Sequence, residues 1–159
     1  IPSTLTTVVE RSFSCPNLER YIMPNGNPVF DIRNNSVIET ATNRLIAGAI
    51  LSSKIHESVT TIGKEAFYES CIASVDLHAG ITTIEDYAFD YSDITQIICR
   101  ATTPPTLGES PFRLTNYSGR MKVPEESISL YRSSWFLTDV GYLGWTNYRW
   151  GLVALAEGE

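Results

Sequence analysis

The sequence predicts a solenoid of short parallel β-strands. Three observations predict it: apolar positions recur every 22 residues, an apolar triplet with strand spacing closes each period, and an Ala-Phe pair holds a fixed place within it. Internal repeats take precedence in reading a sequence, because a unit that cannot bury its own apolar side must stack on its neighbours to do so.

The period is plainest in two stretches. Val59-Thr60-Thr61-Ile62, leading to Ala66-Phe67, matches Ile81-Thr82-Thr83-Ile84, leading to Ala88-Phe89, at an offset of 22. The match continues from Ile72, Val75 and Leu77 onto Ile94, Ile97 and Cys99. A further copy opens the chain, where Leu5 to Val8, Phe13, Leu18, Tyr21 and Met23 lie 54 residues before their counterparts. The residue ending each triplet serves as a ruler: Ile1, Met23, Ile55, Leu77, Cys99 and Val123, at intervals of 22, 32, 22, 22 and 24. Residues 1–123 therefore divide into five coils, the second enlarged over 24–54, and residues 124–159 form a C-terminal cap on a single domain.

Each element has a local reason. Ile72-x-x-Val75-x-Leu77 alternates at its end with the period of a strand, and such strands pair about 4.8 Å apart. The expected strands are Tyr21–Met23, Ser53–Ile55, Val75–Leu77, Ile97–Cys99 and Met121–Val123, parallel and in that order. Phe13, Phe67, Phe89 and Phe112 are expected to stack as a ladder on the return path. In the enlarged coil, Val37-Ile38 and Leu45-Ile46 flank Thr40 to Asn43, a hairpin signal with a turn-forming Asn. Pro104-Pro105 cannot donate ladder hydrogen bonds and should loosen the stack. From Pro124 to Ser134 the chain reads as a helix, with acidic Glu125 and Glu126 in its first turn and Ile128, Tyr131 and Trp135 on one face. That helix would cover the last strand edge.

Composition excludes several classes. The 159 residues are 43% hydrophobic and 19% charged, which is a globular balance. A net charge of -6 argues against nucleic acid and anionic membranes, both of which require clustered Lys and Arg. No apolar run approaches the length needed to insert in a bilayer. The three cysteines, Cys15, Cys71 and Cys99, form neither a disulfide framework nor a zinc motif. Cys71 and Cys99 fall on apolar repeat positions and are expected to be buried, while Cys15 is the expected exposed thiol.

The pattern Thr-x-Ile-x-x-x-Ala-Phe followed by Ile-x-x-Val-x-Leu resembles the BspA-like, or treponemal-class, leucine-rich repeats. The stretch from Gly26 to Gly48 is similar to the longer coil of that family, Ala101 to Leu107 to its exit from the last regular repeat, and Val123 to Ser127 with Tyr131 and Trp135 to its cap. The resemblance spans roughly residues 1–135. It departs at His56 and His78, where the family has Pro, and at 136–144, which reads as an insertion. It implies a bacterial surface or secreted location and a binding or adhesion role.

Candidate chemistry is sparse. His56 and His78 occupy equivalent positions with Asp76 nearby, but a metal site wants three or four ligands, and surface packing at the Pro position accounts for both histidines. No nucleophile elbow, phosphate loop or zinc-protease signature is present, so no catalytic residue, cofactor or metal is assigned. Outward strand positions are Ile22, Lys54, Asp76, Ile98 and Lys122, flanked by Arg20, Ser52, Ser74, Gln96 and Arg120. Repeat proteins use such extended faces for binding. Trp135, Trp145 and Trp150 make an alternative aromatic platform for glycan, or else pack the cap. The expectation is a monomeric, non-catalytic module recognising protein or glycan. The competing reading is a spacer with no ligand of its own.

Overall fold

The computed structural model describes residues 1–13, 15–113, 119–136, 151–156 and 158. Its strands, in chain order, are β1 (Phe30–Arg33), β2 (Ser36–Glu39), β3 (Arg44–Gly48), β4 (Thr61–Ile62), β5 (Ser74–Leu77), β6 (Thr83–Ile84), β7 (Gln96–Cys99), β8 (Thr106–Leu107), β9 (Arg120–Val123) and β10 (Gly151–Ala154). They form a six-stranded sheet, β1-β2-β3-β4-β6-β8, and a four-stranded sheet, β10-β9-β7-β5. All pairings are parallel except β1 with β2 and β2 with β3.

The 22-residue period is written into the hydrogen bonding. Ser74 pairs with Gln96 and Leu77 with Cys99, while Thr61 pairs with Thr83 on the other sheet. Each period thus contributes two strands. The second, short ladder is built by the Thr-Thr-Ile run, whose β-branched side chains favour extended backbone. The turns stack as well: Phe67 N–H donates to Ala88 C=O at 2.7 Å, and Phe89 N–H to Pro111 C=O at 2.7 Å. Immediately before the alanine of each pair, Glu65 and Tyr87 both adopt a left-handed φ of 55°. Arg11, 54 residues before Glu65, does so at 63°, which supports the register assigned to the first copy.

One apolar cluster joins the sheets. Leu45, Ile62 and Ile84 enter it from one sheet, Val75, Leu77, Ile97, Met121 and Val123 from the other, and the Ala-Phe pairs from the turns. The Phe67 and Phe89 rings stack at 5.0 Å and 7° between planes, and the Phe89 and Phe112 rings at 5.4 Å and 6°. The expected ladder thus runs through three of its four rings. Phe13 departs from it and instead packs edge-on against Tyr21 at 5.6 Å. The end of β3 intervenes. Gly48 N–H donates to Ala66 C=O at 3.0 Å, as Phe67 does to Ala88, so Gly48 takes the next place in the ladder.

The hairpin expected in the enlarged repeat is β2–β3, with Asn43 left-handed at a φ of 54°. An additional strand, β1, precedes it through the two-residue turn Asn34-Asn35, both left-handed at 45° and 62°. That combination matches the twist of a tight antiparallel turn.

The first expected strand is not formed. Tyr21–Met23 carries no strand pairing to Ser53–Ile55. Instead the Asn35 side-chain carbonyl accepts from Tyr21 N–H and its amide donates to Glu19 C=O. One side chain satisfies the groups that a neighbouring strand would have bonded. The second expected strand shortens to a single bridge, Lys54 with Asp76.

At the other end, α1 (Ile128–Tyr131) is preceded by a 3-10 turn, Glu125–Ser127, and followed by a π turn, Arg132–Phe136. This segment does not cover the last strand edge, as the sequence suggested. The strand β10 pairs with β9 there, and the helical turns cover the end of the apolar cluster. Trp135 lies 6.0 Å from Phe112 and donates its indole N–H to Pro105 C=O. Tyr131 is fully buried and donates its hydroxyl to Ala101 C=O at 2.8 Å.

All three cysteines are free. Cys99 is buried and Cys15 exposed, as expected, but Cys71 is exposed. Ser70 and Ile72 point inward on either side of it, so the alternation of the chain turns Cys71 out. Thiol titration of native protein is therefore expected to label Cys15 and Cys71 quickly and Cys99 only on unfolding; rapid labelling of Cys99 would contradict the packing. The Cys99 sulfur lies 3.0 Å from the Tyr131 oxygen, and burial above all pushes its thiol pKa up. An acid raised on folding stabilises below its unfolded pKa, and that contribution is lost as pH rises. Stability should therefore decline above about pH 8.5, and Cys99→Val should flatten the decline in denaturation midpoints.

Candidate functional site

The outward row of the four-stranded sheet is the feature that the sequence singled out. Register places Lys54 beside Asp76, Asp76 beside Ile98, Ile98 beside Lys122, and Lys122 beside Val153. Their neighbours in sequence, Val75, Leu77, Ile97, Cys99, Met121 and Val123, are buried, so the pleat alone turns the row outward. A second row, Ser74, Gln96 and Arg120, runs alongside it.

Three of the predicted residues leave this surface. Ile22 is 62% exposed, but its segment is not part of the sheet, and the Ile1 nitrogen donates to its carbonyl. Ser52 is fully buried, with its hydroxyl donating to Asn35 C=O and accepting from Ala49 N–H. The cause is the turn at 49–52, which folds back to bond β2's entry. Arg20 is exposed but, like Ile22, belongs to the unpaired first segment.

The sequence reading missed Arg100. Its guanidinium grips Asp76 with two hydrogen bonds of 2.8 Å, linking residues 24 apart. The pair is partly screened from water, and this side-by-side geometry is the stronger form of carboxylate recognition. An Arg just beyond a triplet end, opposite an acidic outward residue one repeat earlier, was the available signal. Asp76→Ala is therefore expected to cost about 0.5–1 kcal/mol in denaturant, as exposed pairs of good geometry do. A loss matching that of a core phenylalanine would mean that this row faces inward.

The histidines pack. His78 Nε2 lies 3.2 Å from His56 C=O and its Nδ1 accepts from Gly80 N–H, while His56 Nδ1 lies 2.9 Å from Ser58 Oγ. Among the described residues no group of three His, Cys, Asp or Glu is placed to hold a metal ion.

The aromatic platform is altered at its first member. Trp135 is 2% exposed, because its ring closes the phenylalanine ladder, so it offers no surface to a sugar. Trp145 and Trp150 lie outside the described residues. A separate group of aromatics emerges on the turns. Tyr68 meets Tyr91 edge-on at 5.6 Å, Arg11 stacks 4.0 Å from the Tyr68 ring, and Arg113 lies 5.0 Å from Tyr87. Both arginines are also ion-paired, with Glu65 and with the fully buried Asp90.

A cavity of about 150 Å³ separates the first segment from β3 and the turn before Phe67. Arg11, Arg44 and Lys64 line it, paired with Glu65, Glu85 and Glu10, and neither histidine reaches it. No helix among the described residues is long and apolar enough to cross a membrane.

No curated protein and no solved structure matches the chain. The family model described as the BspA type leucine rich repeat region, in six copies, matches residues 47–140. That stretch holds the Thr-Thr-Ile and Ala-Phe periods of residues 59–89, the ladder of β5, β7 and β9, and the outward row from Lys54 to Lys122. The chain belongs to the BspA-type leucine-rich repeat family.

Proposed function

We propose that this chain is a non-catalytic binding module of a bacterial surface or secreted protein. Its solenoid of five coils and a cap forms a single monomeric domain that presents the strand face to a protein partner. The observation that supports the reading is the outward row Lys54–Asp76–Ile98–Lys122, held in register by three strands and a bridge. A row fixed by backbone bonds loses little side-chain-independent entropy on binding, which favours recognition. Charges around the half-buried Ile98 also fit the general make-up of protein interfaces, apolar at the centre and polar at the rim. Glycan remains the alternative ligand, and a spacer with no ligand the alternative role. The test is an array of extracellular proteins and glycans probed with the parent and with Ile98→Asp. A partner retained by the parent and lost by the variant, at unchanged thermal stability, supports the face. Partners insensitive to the variant would move the site elsewhere.

A further inference from the structure

The Ala-Phe turns carry a second pattern. One coil reads Glu65-Ala66-Phe67-Tyr68 and the next Tyr87-Ala88-Phe89-Asp90, so each pair stands between one carboxylate and one tyrosine, in opposite order. Each combination holds an arginine from another coil. Arg11 lies 4.0 Å from the Tyr68 ring centroid and donates to Glu65 at 2.8 Å. Arg113 lies 5.0 Å from the Tyr87 ring centroid and donates to Asp90 at 2.8 Å. A guanidinium between a ring face and a carboxylate gains both a cation–π contact and a charge-assisted hydrogen bond. The fold thus builds the same arginine seat twice.

A third tyrosine, Tyr91, has no arginine stacked on it among the described residues. Its ring is 48% exposed and meets Tyr68 edge-on at 5.6 Å. Tyr91 holds the same repeat position as Glu69 one coil earlier, and Glu69 N–H donates to Asp90 C=O at 3.1 Å. Two residues beyond Tyr91, Asp93 is exposed, and its N–H donates to Ser70 C=O at 3.0 Å. The Tyr68 hydroxyl lies beside the Glu69 carboxylate and the Cys71 thiol beside that of Asp93. An ionised carboxylate keeps acceptor sites for further donors.

Negative charge is in surplus here. The turns 8–15, 63–71, 85–93 and 107–113, taken with Arg44, which reaches Glu85, hold eight carboxylates against Arg11, Arg44, Lys64 and Arg113, a balance of -4 (4 − 8). Residues 114–118, which follow the last turn, carry no charge. All four cations are already paired, with Glu65, Glu85, Glu10 and Asp90. Glu69, Asp86, Asp93 and Glu109 have no ion-pair partner among the described residues. Such a surplus attracts a cationic partner over about a Debye length, roughly 8–10 Å in physiological salt.

We propose that the turn face around Tyr91 binds a basic protein segment and seats one of its arginines as the fold seats its own. The guanidinium would stack on the exposed Tyr91 ring and bond to Glu69 and Asp93. Arginine suits the place better than lysine, because a planar guanidinium stacks and forks at once. The site does not depend on the strand face.

The test measures fluorescence anisotropy of three labelled peptides, identical except for the residue spaced between serines: arginine, lysine, or citrulline, the uncharged counterpart of arginine. The parent is expected to bind the arginine peptide, with about a tenfold loss between 50 and 500 mM salt. The lysine peptide should bind more weakly and the citrulline peptide not at all. Tyr91→Asn removes the ring and tolerates the left-handed φ of 57° at that position, so it should weaken binding about two- to fivefold, the scale of an exposed cation–π contact. Glu69→Gln with Asp93→Asn should weaken it at an unchanged melting temperature. Ile98→Asp, on the strand face, should leave it unaltered. Equal binding of the lysine or citrulline peptide, no binding of the arginine peptide, or full binding by both turn variants overturns the inference. Loss of binding in Ile98→Asp would place the arginine on the strand face and overturn it too.

Discussion

Phe89→Ala is expected to destabilise the protein by about 3–5 kcal/mol, the range for removing a large aromatic from a packed core. The ring is fully buried and stacked between two others, Phe67 at 5.0 Å and Phe112 at 5.4 Å. Truncation would lose the burial of the ring, two stacking contacts worth about 0.5–1.5 kcal/mol each, and the support of both neighbours. The hole could not collapse readily. Backbone bonds from Phe67 to Ala88 and from Phe89 to Pro111 hold the turns at a fixed spacing. Phe67→Ala should cost somewhat less, since a ring lies on one side of it and Gly48 on the other. The loss would be a large part of the roughly 5–15 kcal/mol that keeps a domain folded. Urea denaturation of the two variants beside the parent and Asp76→Ala measures this. A loss under about 1 kcal/mol for Phe89→Ala would mean that the ladder is not the core.

Gly48→Ala is the second large effect, expected at about 1–3 kcal/mol, the usual range for overpacking. The reason is steric. A Cβ built on Gly48 would lie 1.9 Å from Phe67 Cε1 and 2.3 Å from its Cζ. The Phe67 ring has Phe89 stacked behind it, so it cannot retreat without disturbing the ladder. Gly48 cannot withdraw either, because its N–H is bonded to Ala66 C=O. A double-mutant cycle separates this clash from the ordinary strand penalty of the substitution. Phe67→Leu shortens the blocking side chain, so the two changes together should cost less than their sum by about 0.5–3 kcal/mol, as contacting residues do. Strict additivity would show that the ring and the glycine do not meet.

The two effects differ in how far the sequence announced them. Phe67, Phe89 and Phe112 recur behind an alanine or proline at near-constant intervals, and a recurring aromatic on a return path has one physical use, to stack. The role of Gly48 was not announced. Gly48 lies in the enlarged repeat, outside the apolar and Ala-Phe positions that recur through the regular coils. Its importance comes from a bond to Ala66 that joins β3 to the repeated turns. The same holds for Phe13. Its register is right, as Arg11 and Glu65 share a left-handed φ, but the inserted strands take the place beside Phe67. Cys71 shows the limit of position-matching at the level of one residue. It sits between two buried neighbours, and a turn can reverse inside and outside with no change of spacing.

The candidate face divides in the same way. Asp76, Ile98 and Lys122 were placed by alternation alone, because the pleat permits one direction for residues between buried neighbours. The Asp76–Arg100 pair, the burial of Ser52 and the loss of Trp135 from the surface depended on partners distant in the chain.

By itself the sequence determined the period, the parallel register of the repeated strands, the phenylalanine stack and the outward row, since each follows from a spacing that repeats and a backbone that must bond its own copy. Only the tertiary structure decided how the chain departs from that period. Asn35 replaces a strand with one side chain, β1 to β3 enter the ladder at Gly48, and β10 takes the edge intended for a helix. These contacts are made once, between segments with no equivalent elsewhere in the chain. Their stability comes from shape and from unsatisfied backbone groups finding partners, and neither leaves a periodic trace in the residues.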